Sequence, residues 1–228
     1  MMGFYHLTEV FSSIQGEGAN SGLPATFVRF ANCNLSCPWC DTDRTAKVFL
    51  SVHDLMDRVR RYRNELVILT GGEPSIVRGL EELVDALHAD SRKVAIETNG
   101  VLKPPFDPAK FDYISVSPKA EYAMRYREET MLRKADEVRI VAVSEEVVPF
   151  CRKMRTLIEA KRYYVSPIDK DGKMHYRRAV NVLLRLNKGR ISGLGGTIAN
   201  PSPGAGQELP PWPPWALSLQ IHKVLGIK

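Results

Sequence analysis

Short β-branched or aromatic runs alternate along this chain with segments whose apolar residues recur at helical spacing, and this alternation restricts the possible folds more than any other feature. The runs at 25–30, 66–70, 93–97, 113–116, 137–143, 162–165 and 216–219 are expected strands. Several are apolar on both faces, as strands of a parallel sheet are. Between them Val52, Leu55, Met56, Val59 and Tyr62 make one helical face behind the N-cap residue Ser51, and Ile76, Leu80, Leu83, Val84 and Leu87 make a second. A third helix is expected from Ser144, with Glu145 and Glu146 in its first turn and Val147, Val148, Cys151, Met154, Leu157 and Ile158 facing the core. Repeated βα units predict an α/β fold with a parallel sheet, open or curved into part of a barrel, whose ligands meet the C-terminal ends of the strands. Six or so units are too few for an eightfold barrel.

Length and composition agree with a single domain over 1–228, because 228 residues bury a sizeable core and 44% hydrophobic with 25% charged residues is ordinary globular usage. No apolar run approaches the roughly 20 residues of a membrane helix, and the start lacks the charged-then-apolar layout of a secretion signal, so a soluble cytoplasmic protein is expected. Lys and Arg outnumber Asp and Glu by 32 to 26, a net charge of +6, which suits anionic small molecules, nucleic acid or acidic proteins without choosing among them. The stretch at about 187–214, with ISGLGG, NPSPGAG and PPWPP, lacks periodicity and is expected to be a long Gly/Pro-rich loop or insertion.

Cys33, Cys37 and Cys40 fall within eight residues as C-x-x-x-C-x-x-C, whereas Cys151 stands alone on an apolar helical face, where a core thiol is expected. Clustered thiols indicate metal ligation rather than a disulfide framework. Three thiolates leave one corner of a metal centre open. Structural zinc sites use four protein ligands, and no fourth Cys or His lies close by, His53 being remote. An iron–sulfur cluster with one iron free for a small ligand fits the count better, with structural zinc or an incidental group of thiols as the alternative. In LTGGEP, at the end of the second expected strand, Gly71 and Gly72 let a ligand approach the backbone, and Glu73 can accept hydrogen bonds from an ammonium group. A plain strand-to-helix turn is the other reading of that motif.

CNLSCPWC, with Trp39 just before the last cysteine, resembles the signature of the radical S-adenosylmethionine (SAM) superfamily, and LTGGEP resembles that superfamily's strand-end glycine motif. The resemblance implies a partial (β/α)6-type radical SAM barrel, here modified by a long C-terminal insertion. It also implies a 4Fe–4S cluster on Cys33, Cys37 and Cys40 and S-adenosylmethionine at the open iron, with Trp39, Gly71, Gly72 and Glu73 at the cofactor. Finer matches, FSSIQGEG, PATFVRFANCNL, CDT, ETNG, SVSPK and WALSLQIHKVLGIK, resemble the 7-carboxy-7-deazaguanine synthase family over most of 7–170 and again over 212–228. That family comprises carbon–nitrogen lyases that convert 6-carboxy-5,6,7,8-tetrahydropterin to 7-carboxy-7-deazaguanine and ammonia, on the route to the modified tRNA bases queuosine and archaeosine.

The family resemblance implies roles residue by residue. Ile14, Gln15 and Gly16 meet the pterin edge, with Glu17 beside them, and Arg29 meets the substrate carboxylate, which its planar fork suits. Thr98, His222 and Lys228 are further substrate contacts. Gly100, Ser117, Pro118, Lys119, Ser166 and Asp169 belong to the cofactor, although Ser166 stands where the family commonly has glutamine. Thr42 supplies a hard oxygen to magnesium, and Asp41 orients its water. Without the resemblance, 14–16 is a hairpin turn, Arg29 a surface salt bridge and the chain end a docked strand. The family further implies flavodoxin or ferredoxin as electron donor and a homodimer, with no direct nucleic-acid or membrane contact. A glycyl-radical-enzyme activase and a nonenzymatic metal- or tRNA-binding module are the alternatives.

Overall fold

A computed structural model describes residues 4–170, 172–187 and 215–227. The expected insertion therefore lies outside the described residues except at Asn187, and so does Lys228. The chain runs β1 (Tyr5–Ile14), β2 (Pro24–Phe30), β3 (Val48–Leu50), α1 (Val52–Arg60), β4 (Leu66–Gly71), α2 (Leu80–Ala89), β5 (Lys93–Thr98), β6 (Tyr113–Val116), β7 (Lys134–Ala142), α3 (Val148–Leu157), β8 (Glu159–Pro167), β9 (Asp169–Lys170), β10 (Lys173–Met174), α4 (Tyr176–Leu186), β11 (Trp215–Leu217) and α5 (Ile221–Val224). Among the described residues nine strands form one sheet in the order β11-β8-β7-β6-β5-β4-β2-β1-β3. Every neighbouring pair from β11 to β2 is parallel, while β1 and β3 extend the sheet antiparallel.

All seven expected strands are present, but the alternation with helices is less regular than the periodicity predicts. Only 3-10 turns, Pro108–Lys110 and Ala120–Arg125, intervene between β5 and β6 and between β6 and β7. Ile76 is not on the α2 face: it ends a 3-10 turn and is exposed, because Gly79, at φ 76°, delays the helix until Leu80. The third helix likewise opens with a 3-10 turn, Glu145–Val147, before α3 proper. Ser51 does cap α1, its hydroxyl accepting from the Asp54 N–H at 3.2 Å. Cys151 is fully buried in the core, where desolvation pushes its thiol up to about 12.

Because successive parallel strands advance in one direction across the sheet, right-handed crossovers place their helices on the same face. Strand alternation then sorts the side chains. Val28 and Phe30 of β2, Val67 and Leu69 of β4, Val94 and Ile96 of β5, and Val138, Ile140 and Ala142 of β7 join the main core with the helices. The intervening residues Phe27, Ile68 and Ala95 form a smaller cluster with Phe11 and Ala25. Nearer the strand C-termini the same alternate positions turn polar, as Arg29, Thr70, Glu97 and Arg139, and border a cavity. The main core anchors this wall; truncating a fully buried leucine such as Leu83 or Leu87 to alanine costs about 2–5 kcal/mol.

Candidate active site

The cavity, about 480 Å³, opens at the C-terminal ends of the parallel strands. Its walls bring together Cys33, Cys37, Trp39, Cys40 and Thr42 from the loop after β2 with Ile14, Gln15, Gly16 and Arg29 from the β1–β2 hairpin. Gly71, Gly72, Thr98, Ser117 and Lys119 enter from the ends of β4, β5 and β6, and His222 from α5.

The cysteine loop is fastened by groups from several elements. Leu35, buried between the first two cysteines, anchors it in the core. Arg44 donates to the Leu35 carbonyl at 2.6 Å, Arg125 to the Asn34 carbonyl at 2.8 Å, and the Ser36 N–H to the Tyr122 hydroxyl at 3.0 Å. Asn99 Nδ2 reaches Asn34 Oδ1 at 2.8 Å, so the ETNG turn also grips the loop. Trp39 Nε1 donates to Glu121 Oε1 at 2.5 Å, and the Lys119 ammonium lies 5.2 Å from the centre of its ring.

Gly71 and Gly72 have a local physical requirement. The N–H groups of Gly72 and Glu73 donate to the carbonyls of Phe30 and Asn32, each at 2.7 Å. A Cβ on Gly72 would strike the Asn32 carbonyl, and one on Gly71, at φ 118°, the backbone of Phe30. The glycines thus let the end of β4 pack against the entry to the cysteine loop.

Glu73, expected to meet an ammonium group, lies just behind the residues that line the cavity. It is fully buried and accepts from the Thr98 hydroxyl at 2.6 Å and the N–H groups of Asn99 and Ser75 at 2.7 and 2.9 Å. Burial pushes its carboxyl above the ordinary range despite these bonds. Its role in this geometry is to tie the GGE turn to ETNG. Gly100 and Pro118 also lie behind the wall; Gly100 adopts φ 74° with Val116 where a Cβ would stand. Ser166 and Asp169 are off the wall as well, with Ser166 Oγ and Asp169 Oδ1 buried and lacking protein partners.

Residues 14–16 are a hairpin tip that also borders the cavity: Gln15 and Leu23 close the β1–β2 hairpin through a 2.8 Å backbone bond. Arg29 also combines both readings, lining the cavity while its Nε pairs with Glu9 at 3.0 Å and its guanidinium stands 5.4 Å from the Phe11 ring centre. The chain end docks as β11 beside β8 and then turns across the hairpin. Gly18 N–H donates to Ser218 Oγ at 2.9 Å, Ile221 N–H to the Gly16 carbonyl at 3.0 Å, and Gln220 Nε2 to Glu17 Oε1 at 2.7 Å. His222 lies where a Gly16 side chain would begin, and burial lowers its pKa, favouring the neutral ring. Lys223 joins Asp41, at 2.6 Å, to Asp169, at 2.9 Å.

Beyond Glu17, sequence reading missed a polar cluster that joins the hairpin to the strand ends. Arg139, almost wholly buried, faces Glu17, Glu97 and Glu137. The available signal was the alternation of Glu137 and Arg139 with Val138 and Ile140 in a strand otherwise built for the core. Asn99, Gln220 and Lys223 were also missed, although they lie within the matched stretches ETNG and WALSLQIHKVLGIK, because their neighbours were given the roles.

The thiol set fits an iron–sulfur cluster better than a single zinc ion. Among the described residues no three Cys, His, Asp or Glu side chains form a shell for one metal ion, whereas a 4Fe–4S cluster takes each thiolate on a different iron. Burial raises the thiols of Cys33 and Cys37, and coordination would deprotonate them outright. The Radical SAM superfamily model matches residues 27–158, more than half of the chain, and includes all three cysteines and the GGE turn. The chain is 39% identical over 224 residues to the 7-carboxy-7-deazaguanine synthase of Haemophilus influenzae and 40% over 224 residues to that of Neisseria meningitidis, each time covering 98% of this chain and 94% of the relative. The chain belongs to the 7-carboxy-7-deazaguanine synthase family. It is a radical SAM enzyme, and membership implies a 4Fe–4S cluster and S-adenosylmethionine. The crystal structure of QueE from Escherichia coli is similar in fold, with a TM-score of 0.63 at 22% identity over 95% of this chain and 94% of that one. No helix among the described residues is long and apolar enough to cross a membrane.

Proposed function

We propose that this chain converts 6-carboxy-5,6,7,8-tetrahydropterin to 7-carboxy-7-deazaguanine and ammonia. The observation that carries the reading is one cavity lined by the three thiols together with Arg29, Gln15 and His222. When bound, the 4Fe–4S cluster and S-adenosylmethionine supply an electron and a hydrogen-abstracting radical. The protein contributes placement. Arg29 binds the substrate carboxylate, its tie to Glu9 fixing the fork. Gln15 and the backbone of Ile14 and Gly16 read the pterin edge, and Thr98 adjoins them at the end of β5. Thr42, on the cavity wall, would hold magnesium, a hard cation suited to its hydroxyl oxygen. Gly71, Gly72, Ser117 and Lys119 would border the cofactor, and the buried Ser166 and Asp169 oxygens, which lack protein partners, would be left for it to satisfy. His222 and the rest of the C-terminal segment exclude water. A flavodoxin or ferredoxin delivers the electron, and the working unit is a cytoplasmic homodimer folded as one radical SAM domain per chain.

Anaerobic reconstitution with S-adenosylmethionine, reductant, magnesium and 6-carboxy-5,6,7,8-tetrahydropterin tests this, with product followed by mass spectrometry. Deazaguanine product that disappears in Cys37→Ala, together with the iron and sulfide, is the expected result. Cofactor cleavage without that product would overturn the substrate assignment, and no cleavage by protein with a verified cluster would overturn the radical reading.

A further inference from the structure

The floor of the cavity holds more negative charge than its one guanidinium neutralises. Arg139 of β7 donates through Nε to Ser115 Oγ at 2.9 Å, through Nη1 to Glu17 Oε2 at 3.1 Å and through Nη2 to Glu97 Oε1 at 2.5 Å, with Glu137 Oε1 a further 3.1 Å from Nε. Three carboxylates around one cation carry a formal charge of two negative, shared between the buried Glu137 and the partly exposed Glu17 and Glu97. Such an excess favours a donor that can answer it.

Counting acceptor positions shows where the answer belongs. An ionised carboxylate has about four lone-pair positions. On Glu137, Oε2 accepts twice, from Ala19 N–H and the Tyr113 hydroxyl at 2.8 and 2.9 Å, and Oε1 accepts from the Ser115 hydroxyl at 2.9 Å, with Arg139 Nε paired to it by charge at 3.1 Å. Glu97 differs. Its Oε1 accepts from Gln15 Nε2 at 2.9 Å and from Arg139, but its Oε2 has one protein donor, the Thr70 hydroxyl at 2.9 Å. Glu17 keeps capacity on both oxygens, which meet Gln220 and Arg139 once each. Unlike Glu137, both Glu97 and Glu17 border the cavity. The spare acceptors therefore face the ligand. Burial alone would raise the Glu97 carboxyl, yet Arg139, Gln15 and Thr70 bring it down to about 2, so at neutral pH it accepts and never donates.

An ionised carboxylate offering free lone pairs beside a glutamine amide complements a ring edge that presents two adjacent N–H donors. Within the reading of the substrate given above, that edge is the 2-amino and ring N–H pair of the aminopyrimidinone ring. We propose that Glu97 is the residue that selects this amino-bearing edge, and that Arg139 is a positioning residue which fixes Glu97 and Glu17 in register for it. The guanidinium fork spans the strand end of β5 and the hairpin tip of residues 15–17, so the edge-reading groups from two elements move as one unit.

The test is a pair of probes, 6-carboxypterin and 6-carboxylumazine, titrated into the cluster- and S-adenosylmethionine-loaded enzyme. The lumazine has an oxo group where the pterin has its amine, so it sets an acceptor against the carboxylate. Wild-type enzyme is expected to prefer the pterin by roughly tenfold or more. In Glu97→Gln, whose amide can donate to the oxo group, the preference should shrink to about threefold or less, with KM for the tetrahydropterin rising more than kcat falls. Arg139→Lys keeps the charge but loses the fork, and should move the same quantities in the same direction. Iron content and melting temperature verify that each variant is folded and loaded. Wild-type enzyme that turns over the tetrahydropterin yet binds the two probes within threefold overturns the inference without recourse to any variant, while the proposed function stands. A folded Glu97→Gln that keeps the full preference overturns it too. No turnover by loaded wild type counts against the proposed function instead.

Discussion

An added Cβ at Gly16 would run into the imidazole of His222, whereas one at Gly71 would run into the backbone of Phe30 at a φ of 118°. The two collisions differ in what can yield. A histidine ring can rotate away, so Gly16→Ala is expected to leave the melting temperature within about 2 °C of wild type while displacing His222 and raising KM for the tetrahydropterin roughly tenfold. Backbone cannot yield so cheaply. Gly71→Ala should lose about 1–3 kcal/mol of stability, read as a lower urea midpoint, and with it much of the cluster content. Equal melting temperatures in the two variants would contradict this account. At this scale the three thiols and the paired glycines stand out by residue type and spacing, whereas Arg29 stands out only through the family resemblance. The sequence was illegible where a charged side chain hides in a β-branched run. Glu97 and Arg139 lie in strands whose apolar content announces the core, and only their alternate positions turn them toward the cavity.

The C-terminal segment is held to the rest of the site by few bonds, and Lys223 makes two of them, to Asp41 and Asp169. Asp41 follows the last cluster cysteine and precedes Thr42, so α5 is linked to the loop that the metal centre needs. Partly exposed ion pairs contribute little to global stability, about 0–1 kcal/mol. Lys223→Ala should therefore barely shift the melting temperature, yet speed limited proteolysis within 218–227 several-fold by freeing the segment locally. Cleavage at the wild-type rate would mean that the backbone bonds to the hairpin suffice. The elements themselves were unevenly legible. Helices α1 and α2 and the six consecutive strands from β2 to β8 follow the apolar pattern, because each has one face in the main core. Strand β1 does not: its register shifts between Leu7 and Glu9, and its burial follows no clean alternation, since one side borders the cavity. Strand β3 is three residues long, too short to carry a period, and α4 falls in the stretch where the family match lapses.

For the molecule as a whole, two carboxylates at the strand ends contribute to the response to acid in opposite senses. Glu97 falls from an ordinary 4.5 to about 2 in the fold, since Arg139, Gln15 and Thr70 outweigh the burial that alone would raise it. The unfolded chain therefore takes up that proton first as the pH drops. Its stabilising contribution is fully present above about 4.5 and is lost as the pH falls toward about 2. Glu73 acts in the opposite sense, because burial raises its carboxyl. Its contribution is present below the ordinary carboxylate range and is lost as the pH rises through its native value. Of these two glutamates only Glu97 adds to the loss of stability in acid, alongside the lowered aspartates Asp41, Asp90 and Asp112. Urea midpoints of the cluster-free chain, taken from pH 6 down to pH 3, should fall with pH, and Glu97→Gln should flatten that fall by at most one proton, about 1.4 kcal/mol per pH unit. The same substitution lowers stability at pH 6, where Arg139 has lost its closest carboxylate charge, so the two curves converge as the pH falls. Parallel curves would show that Glu97 is not held ionised by the guanidinium, and the reading of the cavity floor as a preorganised acceptor would fall with it.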